Sequence, residues 1–226
     1  MDVLELWKAR RECRFTLKHY LSPDLAYIIG VYMGDGYAYI TGRSKVKGTE
    51  AIVGLDVKNV MFAEEFKRSL ERLGLKPIVA KKSDGRISVY CYSLVLYNFL
   101  KSVDLDYIRK VIVSKPELFS NFVKGFYESE GSICRPRKET CKRRGVGWRT
   151  HVQLRMYNTN RKLLETIAKG LERYGIKARV YLVKRREQYK KKSHHDLYAV
   201  VVQGVKHVEN FLNFIKPVIK NNPWGE

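Results

Sequence analysis

Two nine-residue segments of this chain, residues 28–36 and 123–131, follow one pattern of small and acidic residues 95 positions apart. Each copy has two small residues four positions apart: Gly30 and Gly34 in the first, Gly125 and Ser129 in the second. Residues four apart share one face of a helix. The pattern therefore predicts two helices with narrow, smooth faces that pack together with their backbones nearly in contact.

One acid directly follows the second small residue of each copy, Asp35 in the first and Glu130 in the second. If the helices pack through their small residues, these two carboxylates lie side by side. Like charges that close must share a proton or a cation, and an acid at a helix C-terminus also opposes the helix dipole. We therefore predict a divalent-metal site, rather than two acids that merely end their helices. Glu128 matches Met33 of the first copy, so it has no symmetric partner and is interpreted as structural.

The repeat extends beyond these motifs. Residues 69–76 recur at 170–177, and residues 98–100 recur at 210–212. Asn59 and Asn160 are predicted to cap the helices that end near Gly74 and Gly175. Each repeat is predicted to run helix, two strands, helix, two strands, helix, an α/β (α+β) fold with the boundaries 1–20 for a basic N-terminal extension, 21–101 for the first repeat, 102–117 for a linker and 118–226 for the second repeat.

The doubled motif resembles the LAGLIDADG motif of homing endonucleases, and two copies in one chain resemble the monomeric members of that family. The resemblance covers roughly residues 20–220. It implies two motif helices on a pseudo-twofold axis, flanked by two saddle-shaped antiparallel sheets that straddle a DNA duplex. It also implies that the backbone carbonyls of Gly34 and Ser129 join Asp35 and Glu130 as ligands of Mg²⁺, with Mn²⁺ able to substitute.

The family also places basic residues around the metal, and two lysines match such positions. Lys58 follows a predicted strand, and Lys206 is expected just before the last helix. Their repeat equivalents are Thr159 and Leu94, so neither lysine has a counterpart in the other half. The resemblance therefore implies that Lys58 and Lys206 belong to the catalytic residues. It also implies that the two DNA strands are cut with different basic side chains nearby.

The net charge of +21 and the pI near 9.8 predict a polyanionic partner. Residues 1–113 hold 19 Lys and Arg against 13 Asp and Glu, whereas residues 114–226 hold 25 against 10. Polar residues alternate along predicted strands at 37–47 and 149–157. Two basic hairpin tips are predicted between strands, at 142–145 and 190–193. Such side chains suit phosphates and base edges in a major groove. The candidate DNA-binding residues are Tyr37, Tyr39, Thr41, Arg43, Lys45, Lys47, Lys82, Arg86, Arg135, Arg137, Lys142, Arg143, Arg149, His151, Gln153, Arg155, Arg179, Tyr181, Arg185, Lys190 and Lys191.

Other classes of protein are disfavoured. No apolar run reaches 18 residues, and the charged first 20 residues do not resemble a signal peptide, so no membrane partner is expected. The four cysteines have no zinc or redox spacing and are predicted to be reduced. We therefore expect an intracellular protein, in the cytoplasm of a prokaryote such as an archaeon or alternatively in an organelle.

The resemblance implies a monomeric, magnesium-dependent endonuclease that cuts both strands of a long DNA site across the minor groove. Short 3′ overhangs and the homing of an intron or intein would follow. One alternative is an RNA maturase that assists splicing of its host intron, and another is a non-catalytic transcription regulator with the same fold. Retention of both Asp35 and Glu130 favours the nuclease.

Overall fold

The computed structural model describes residues 21–44, 48–134, 152–188 and 195–222. The first repeat consists of α1 (Pro23–Met33), β1 (Tyr37–Ser44), β2 (Gly48–Val57), α2 (Val60–Arg72), β3 (Ile78–Lys81), β4 (Ile87–Tyr92) and α3 (Leu94–Ser102). A connection with the short helix α4 (Leu105–Tyr107) and a π-helical turn (Ile108–Ile112) follows. The second repeat consists of α5 (Pro116–Glu130), β5 (Gly131–Cys134), β6 (Gln153–Asn158), α6 (Arg161–Arg173), β7 (Ala178–Lys184), β8 (Leu197–Gln203) and α7 (Val205–Ile215).

Each repeat folds its four strands into one antiparallel sheet. The strand orders are β1-β2-β4-β3 and β5-β6-β8-β7, so the two sheets have the same topology. The predicted α+β fold of two αββαββα repeats is confirmed. No helix within the described residues is long and apolar enough to cross a membrane.

Local sequence signals account for the helix ends. The Ser22 hydroxyl accepts a hydrogen bond from the Leu25 N–H at 3.2 Å, where α1 begins. Asn59 and Asn160 cap α2 and α6 as predicted, each through its side-chain oxygen. Both helices end before glycines with positive φ, +80° at Gly74 and +78° at Gly175, a conformation that glycine adopts without strain.

The helices α1 and α5 pack so closely that only glycine fits at two positions. A Cβ atom on Gly30 would lie 2.0 Å from the backbone oxygen of Phe122, and one on Gly125 would lie 2.3 Å from that of Tyr27. The predicted close approach is therefore present. Apolar side chains of α1, α5 and both sheets surround this contact and form one continuous core.

In each sheet one face packs on the helices and the other, the open face, does not. Directly paired residues of neighbouring antiparallel strands share a face. The open face of the first sheet holds Tyr37, Tyr39, Ile52, Gly54, Asp56, Ile78, Ala80, Ser88, Tyr90 and Tyr92. The open face of the second sheet holds Ser132, Cys134, Gln153, Arg155, Tyr157, Arg179, Tyr181, Ala199, Val201 and Gln203.

Three local predictions were wrong. The alternation expected over 37–47 is interrupted by a register shift after Ile40, so that Gly42 pairs with Glu50. β7 has a second register shift after Leu182 and ends at Lys184, so Arg185 lies beyond that strand. Finally, α7 begins at Val205, so Lys206 lies in its first turn rather than before it. β-Bulges of this kind leave no periodic signal in the sequence because they consist of one extra residue.

Candidate active site

The two motif helices end beside each other, and each leads into the first strand of its sheet. A Cβ atom on Gly34 would lie 2.5 Å from Cβ of Ser129 and 3.2 Å from Cγ of Glu130. The second pair of small residues therefore brings together the acids that follow them. Asp35 is solvent-exposed, whereas Glu130 is half-buried.

Both acids have raised pKa values, and the charge of Asp35 contributes to that of Glu130. Burial, together with the negative charge of Asp35, raises the pKa of Glu130 to about 7. Partial burial of its carboxyl group also raises the pKa of Asp35. Lys220 acts in the opposite direction and lowers the pKa of both carboxyls. The site is therefore an anionic pair that a cation stabilises in its ionised form.

Lys220 is a part of this site that the sequence analysis did not identify. Its ammonium group donates hydrogen bonds to the backbone carbonyls of Glu128 at 2.7 Å, and of Tyr127 and Ser129 at 3.4 Å each. These carbonyls lie in the last turn of α5, where the helix dipole attracts positive charge. The backbone of Lys220 is left-handed, with φ of 56°, and its carbonyl accepts a hydrogen bond from the Tyr127 hydroxyl at 3.0 Å.

Glu128 lies behind the site and is only 2% exposed. Its carboxylate accepts hydrogen bonds from the Tyr27 hydroxyl and from the Val218 N–H, each at 2.7 Å. Burial raises the pKa of Glu128, and these two hydrogen bonds lower it. Glu128 thus connects α1 and α5 to the C-terminal segment that carries Lys220, which supports its interpretation as a structural residue.

The other predicted catalytic residues are Lys58 and Lys206. Lys58 and Lys206 are both exposed, and their participation in catalysis remains a prediction. Asn158, the residue before Thr159, donates a hydrogen bond from its side chain to the Met33 carbonyl at 3.4 Å. The last turns of α1 and α5 are therefore each contacted by a polar side chain from the second repeat.

Six of the candidate DNA-binding residues lie on the open faces: Tyr37, Tyr39, Gln153, Arg155, Arg179 and Tyr181. Thr41 donates a hydrogen bond to the Glu50 carbonyl at 3.1 Å, and Arg43 lies near the end of β1. Lys82 and Arg86 form ion pairs with Asp56 and Asp84. Arg185 follows the last residue of β7. The other candidates lie outside the described residues: Lys45, Lys47, Arg135, Arg137, Lys142, Arg143, Arg149, His151, Lys190 and Lys191.

The fold and the paired acids define a two-repeat α+β protein whose motif helices meet at one anionic site. A model of the LAGLIDADG-like domain family matches residues 22–115 and again residues 117–216. The chain therefore belongs to the LAGLIDADG-like family and carries two copies of its domain.

The chain is similar to two uncharacterised proteins of Methanocaldococcus jannaschii. It is 33% identical to MJ0314 over 168 residues, which cover 72% of this chain and 59% of that protein. It is 27% identical to MJ0398 over 202 residues, which cover 84% of this chain and 65% of that protein. The chain thus spans about three fifths of the length of the curated relatives it matches.

Two solved structures share the fold. The homing endonuclease I-DmoI, in complex with DNA and Mn, has a TM-score of 0.57 at 20% identity, over 90% of this chain and 99% of that one. The N-terminal LAGLIDADG domain of DUF199/WhiA has a TM-score of 0.55 at 13% identity, over 92% of this chain and 89% of that one. At these identities the likeness concerns the fold alone.

Proposed function

We propose that this protein is a site-specific DNA endonuclease that cuts both strands of a long duplex site across the minor groove. Short 3′ overhangs and the homing of an intron or intein would follow. The observation that carries the proposal is the meeting of Asp35 and Glu130, one from each repeat, beside the Lys220 ammonium. I-DmoI, which has the same fold, was solved with DNA and Mn, and this supports the same partner here.

The donor atoms at the helix ends fit a divalent metal ion. Asp35 and Glu130, with the carbonyls of Gly34 and Ser129, would provide only oxygen ligands, which Mg²⁺ and Mn²⁺ prefer. The carbonyls in the last turn of α5 already attract the Lys220 ammonium, so this end of the helix favours positive charge. When bound, the metal ion supplies Lewis-acid polarisation of the phosphoryl oxygen and a lower pKa of its bound water.

The residues of the chain control ionisation and charge at the site. Lys220 lowers the pKa of Asp35 and Glu130 and so favours their ionised forms, but the pKa of Glu130 still lies at about 7. An ionised carboxylate can accept a proton from the attacking water or orient it by a hydrogen bond. The positive charge of Lys220 also offsets the negative charge that develops on the phosphate in the transition state. Since the acids come from different repeats, one site can serve two strands.

The duplex would lie across the two open faces. The net charge of +21 favours binding of a polyanion such as DNA. Arg179 is exposed on the open face of the second sheet. Because the two repeats already form a pseudo-symmetric pair, a single chain suffices to contact both halves of a site. We therefore propose that the protein acts as a monomer.

The fold shared with WhiA favours a second candidate, a DNA-binding regulator without catalysis. An RNA maturase that binds its host intron is a third. Neither function requires two adjacent acids with raised pKa values that are stabilised by a lysine. This chain keeps both acids, and we therefore favour the nuclease.

The test begins with selection of bound duplexes from a random DNA library, because the target sequence is unknown. The enriched duplex is then cloned into a supercoiled plasmid and incubated with the protein and Mg²⁺. We expect one double-strand cut within the enriched sequence, and mapped ends with short 3′ overhangs. Enrichment without cleavage in Mg²⁺ or Mn²⁺ would favour the regulator, and preferential enrichment from a matched RNA library would favour the maturase.

A further inference from the structure

The two open faces occupy equivalent positions in the repeats but present different chemistry. One cross-strand row of the first sheet, Tyr37-Gly54-Tyr90-Ile78, corresponds to the row Ser132-Arg155-Val201-Arg179 in the second. The next row, Tyr39-Ile52-Tyr92, corresponds to Cys134-Gln153-Gln203. Ile78, Ile52 and Tyr92 of the first sheet therefore stand where the second has Arg179, Gln153 and Gln203. Arg155 stands where the first sheet has Gly54, and none of the three remaining tyrosines corresponds to an aromatic residue.

The apolar surface of the first sheet is accessible. Tyr39, Tyr92 and Ile78 are 50%, 53% and 42% exposed. The Tyr37 ring lies over Gly54, since a Cβ atom there would come within 2.7 Å of that ring, and Tyr90 is the cross-strand neighbour of Gly54. The Tyr37 and Tyr39 rings lie 5.8 Å apart, and the Tyr90 and Tyr92 rings 6.0 Å apart. Two tyrosine pairs thus form a broad surface of carbon and phenol groups.

The cations near the two open faces also differ in their partners. In the first half Lys82 forms an ion pair with Asp56, which lies on the open face, and Arg86 forms one with Asp84 at 2.7 Å. In the second half Arg155 Nη2 donates a hydrogen bond to Oε1 of the uncharged Gln153 side chain at 2.9 Å. Among the described residues, Arg155 and Arg179 take part in no salt bridge. The positive charge of these two guanidinium groups is therefore not offset by an acidic partner within the described residues.

We propose, on the basis of the proposed function, that the two sheets recognise half-sites of different base composition. The first sheet recognises thymine through its C5-methyl group, the one apolar group that a base presents in the major groove. The second sheet recognises purines: Arg155 and Arg179 bind the O6 and N7 acceptors of guanine, while Gln203 suits adenine. The target is therefore asymmetric, with a thymine-rich half and a guanine-containing half.

The experiment uses the duplex selected from the random library with the full-length protein. The half-site of the second sheet is the one in which Arg179→Ala broadens the base preference when the selection is repeated. In this half-site, 7-deazaguanine, which lacks N7, is expected to weaken binding tenfold or more. In the opposite half-site, replacement of thymine by deoxyuracil, which lacks only the methyl group, is expected to weaken binding by about fourfold per contacted base.

Matched protein variants separate apolar contact from hydrogen bonding on the first sheet. Tyr92→Phe removes only the hydroxyl and is expected to keep the thymine preference, whereas Tyr92→Ala is expected to lose it. Lys162→Ala, an exposed residue of α6 outside both sheets, serves as the control for charge loss and should leave both base preferences unchanged. An Arg179→Ala variant with an unchanged preference, or equal sensitivity of both half-sites to deoxyuracil, would overturn the inference.

These outcomes are distinct from failure of the proposed function. A duplex that is enriched and cut, but whose halves show no such asymmetry, overturns this inference alone. If no duplex is enriched from the library, both the proposed function and this inference are overturned.

Discussion

Lys220 donates a hydrogen bond from its ammonium group to the backbone carbonyl of Glu128 at 2.7 Å, in the last turn of α5. Glu128 in turn accepts a hydrogen bond from the Val218 N–H, two residues before Lys220. The C-terminal segment and the second motif helix thus hold each other through both main-chain and side-chain groups. This arrangement places a positive charge beside Asp35 and Glu130, which would otherwise repel each other.

Replacement of Lys220 by methionine should therefore slow cleavage while leaving DNA affinity largely unchanged. One well-placed charge at a reacting phosphate contributes about 2.7–4 kcal/mol in a water-excluded site. Asp35 is solvent-exposed, so we expect a smaller effect, about 10- to 100-fold in the single-turnover rate. The control is Lys216→Met, since Lys216 lies in the same segment, is exposed and also has a left-handed backbone. Equal rates for wild type and Lys220→Met would show that this lysine only caps the helix.

Substitutions of Glu128 should separate structure from catalysis. Glu128→Gln can still accept from the Val218 N–H and can donate to the Tyr27 hydroxyl, so we expect cleavage to persist with a loss of about 1 kcal/mol in the free energy of unfolding. Glu128→Ala leaves the buried Tyr27 hydroxyl and the partly buried Val218 N–H without an acceptor and should cost about 3 kcal/mol. Urea unfolding and cleavage rates of both variants provide the measurement. A folded Glu128→Gln protein that binds DNA but does not cut it would identify Glu128 as an active-site acid.

The raised pKa of Glu130 predicts a stability that depends on pH. In the folded protein its pKa is about 7, against an ordinary value of 4.5, so between these values the folded state holds a proton that the unfolded state releases. The free energy of unfolding should therefore fall as the pH rises from about 4.5 to 7. Glu130→Gln should remove the part of this pH dependence that comes from Glu130. We therefore expect its free energy of unfolding to exceed that of wild type by about 2 kcal/mol at pH 8, but not at pH 4.

Thermal unfolding in a chelating buffer at both pH values tests this prediction. Glu209→Gln is the control, because Glu209 is an exposed acid on α7 away from the motif helices. Addition of Mg²⁺ should stabilise the wild type more than Glu130→Gln. A Glu130→Gln protein no more stable than wild type at pH 8 would contradict the burial of the Glu130 carboxyl beside Asp35.

The helix contact predicts that alanine is not tolerated at Gly125. Its methyl group would lie 2.3 Å from the Tyr27 carbonyl oxygen and 2.9 Å from the Val31 nitrogen, and neither backbone atom can yield without separating α1 from α5. We expect a loss of about 3 kcal/mol or more in the free energy of unfolding. Asn213→Ala, on the exposed side of α7, should change stability by less than about 0.5 kcal/mol. A Gly125→Ala protein as stable as wild type would mean that the motif helices do not pack this closely.

The sequence was most informative where a backbone requirement selects a residue type. Gly30 and Gly125 must be glycine because the backbone of the facing helix occupies the space of a side chain. Asn59 and Asn160 stand at helix starts because the first N–H groups of a helix need a side-chain acceptor. Lys220 could not be predicted, since it binds backbone carbonyls, which have no residue identity, from a segment without strand or helix periodicity. The bulges after Ile40 and Leu182 were missed for a similar reason, because each depends on cross-strand pairing.

The central claim is that Asp35 and Glu130 form one catalytic site from two repeats. Single-turnover cleavage of the selected duplex, at saturating protein and with Mg²⁺, tests it most directly when wild type is compared with Glu130→Gln and Asp35→Asn. Each variant removes one negative charge and keeps the shape of the side chain. We predict that both variants bind the duplex as tightly as wild type and cut it several orders of magnitude more slowly. A Glu130→Gln or Asp35→Asn protein that cuts at the wild-type rate would contradict the proposed active site.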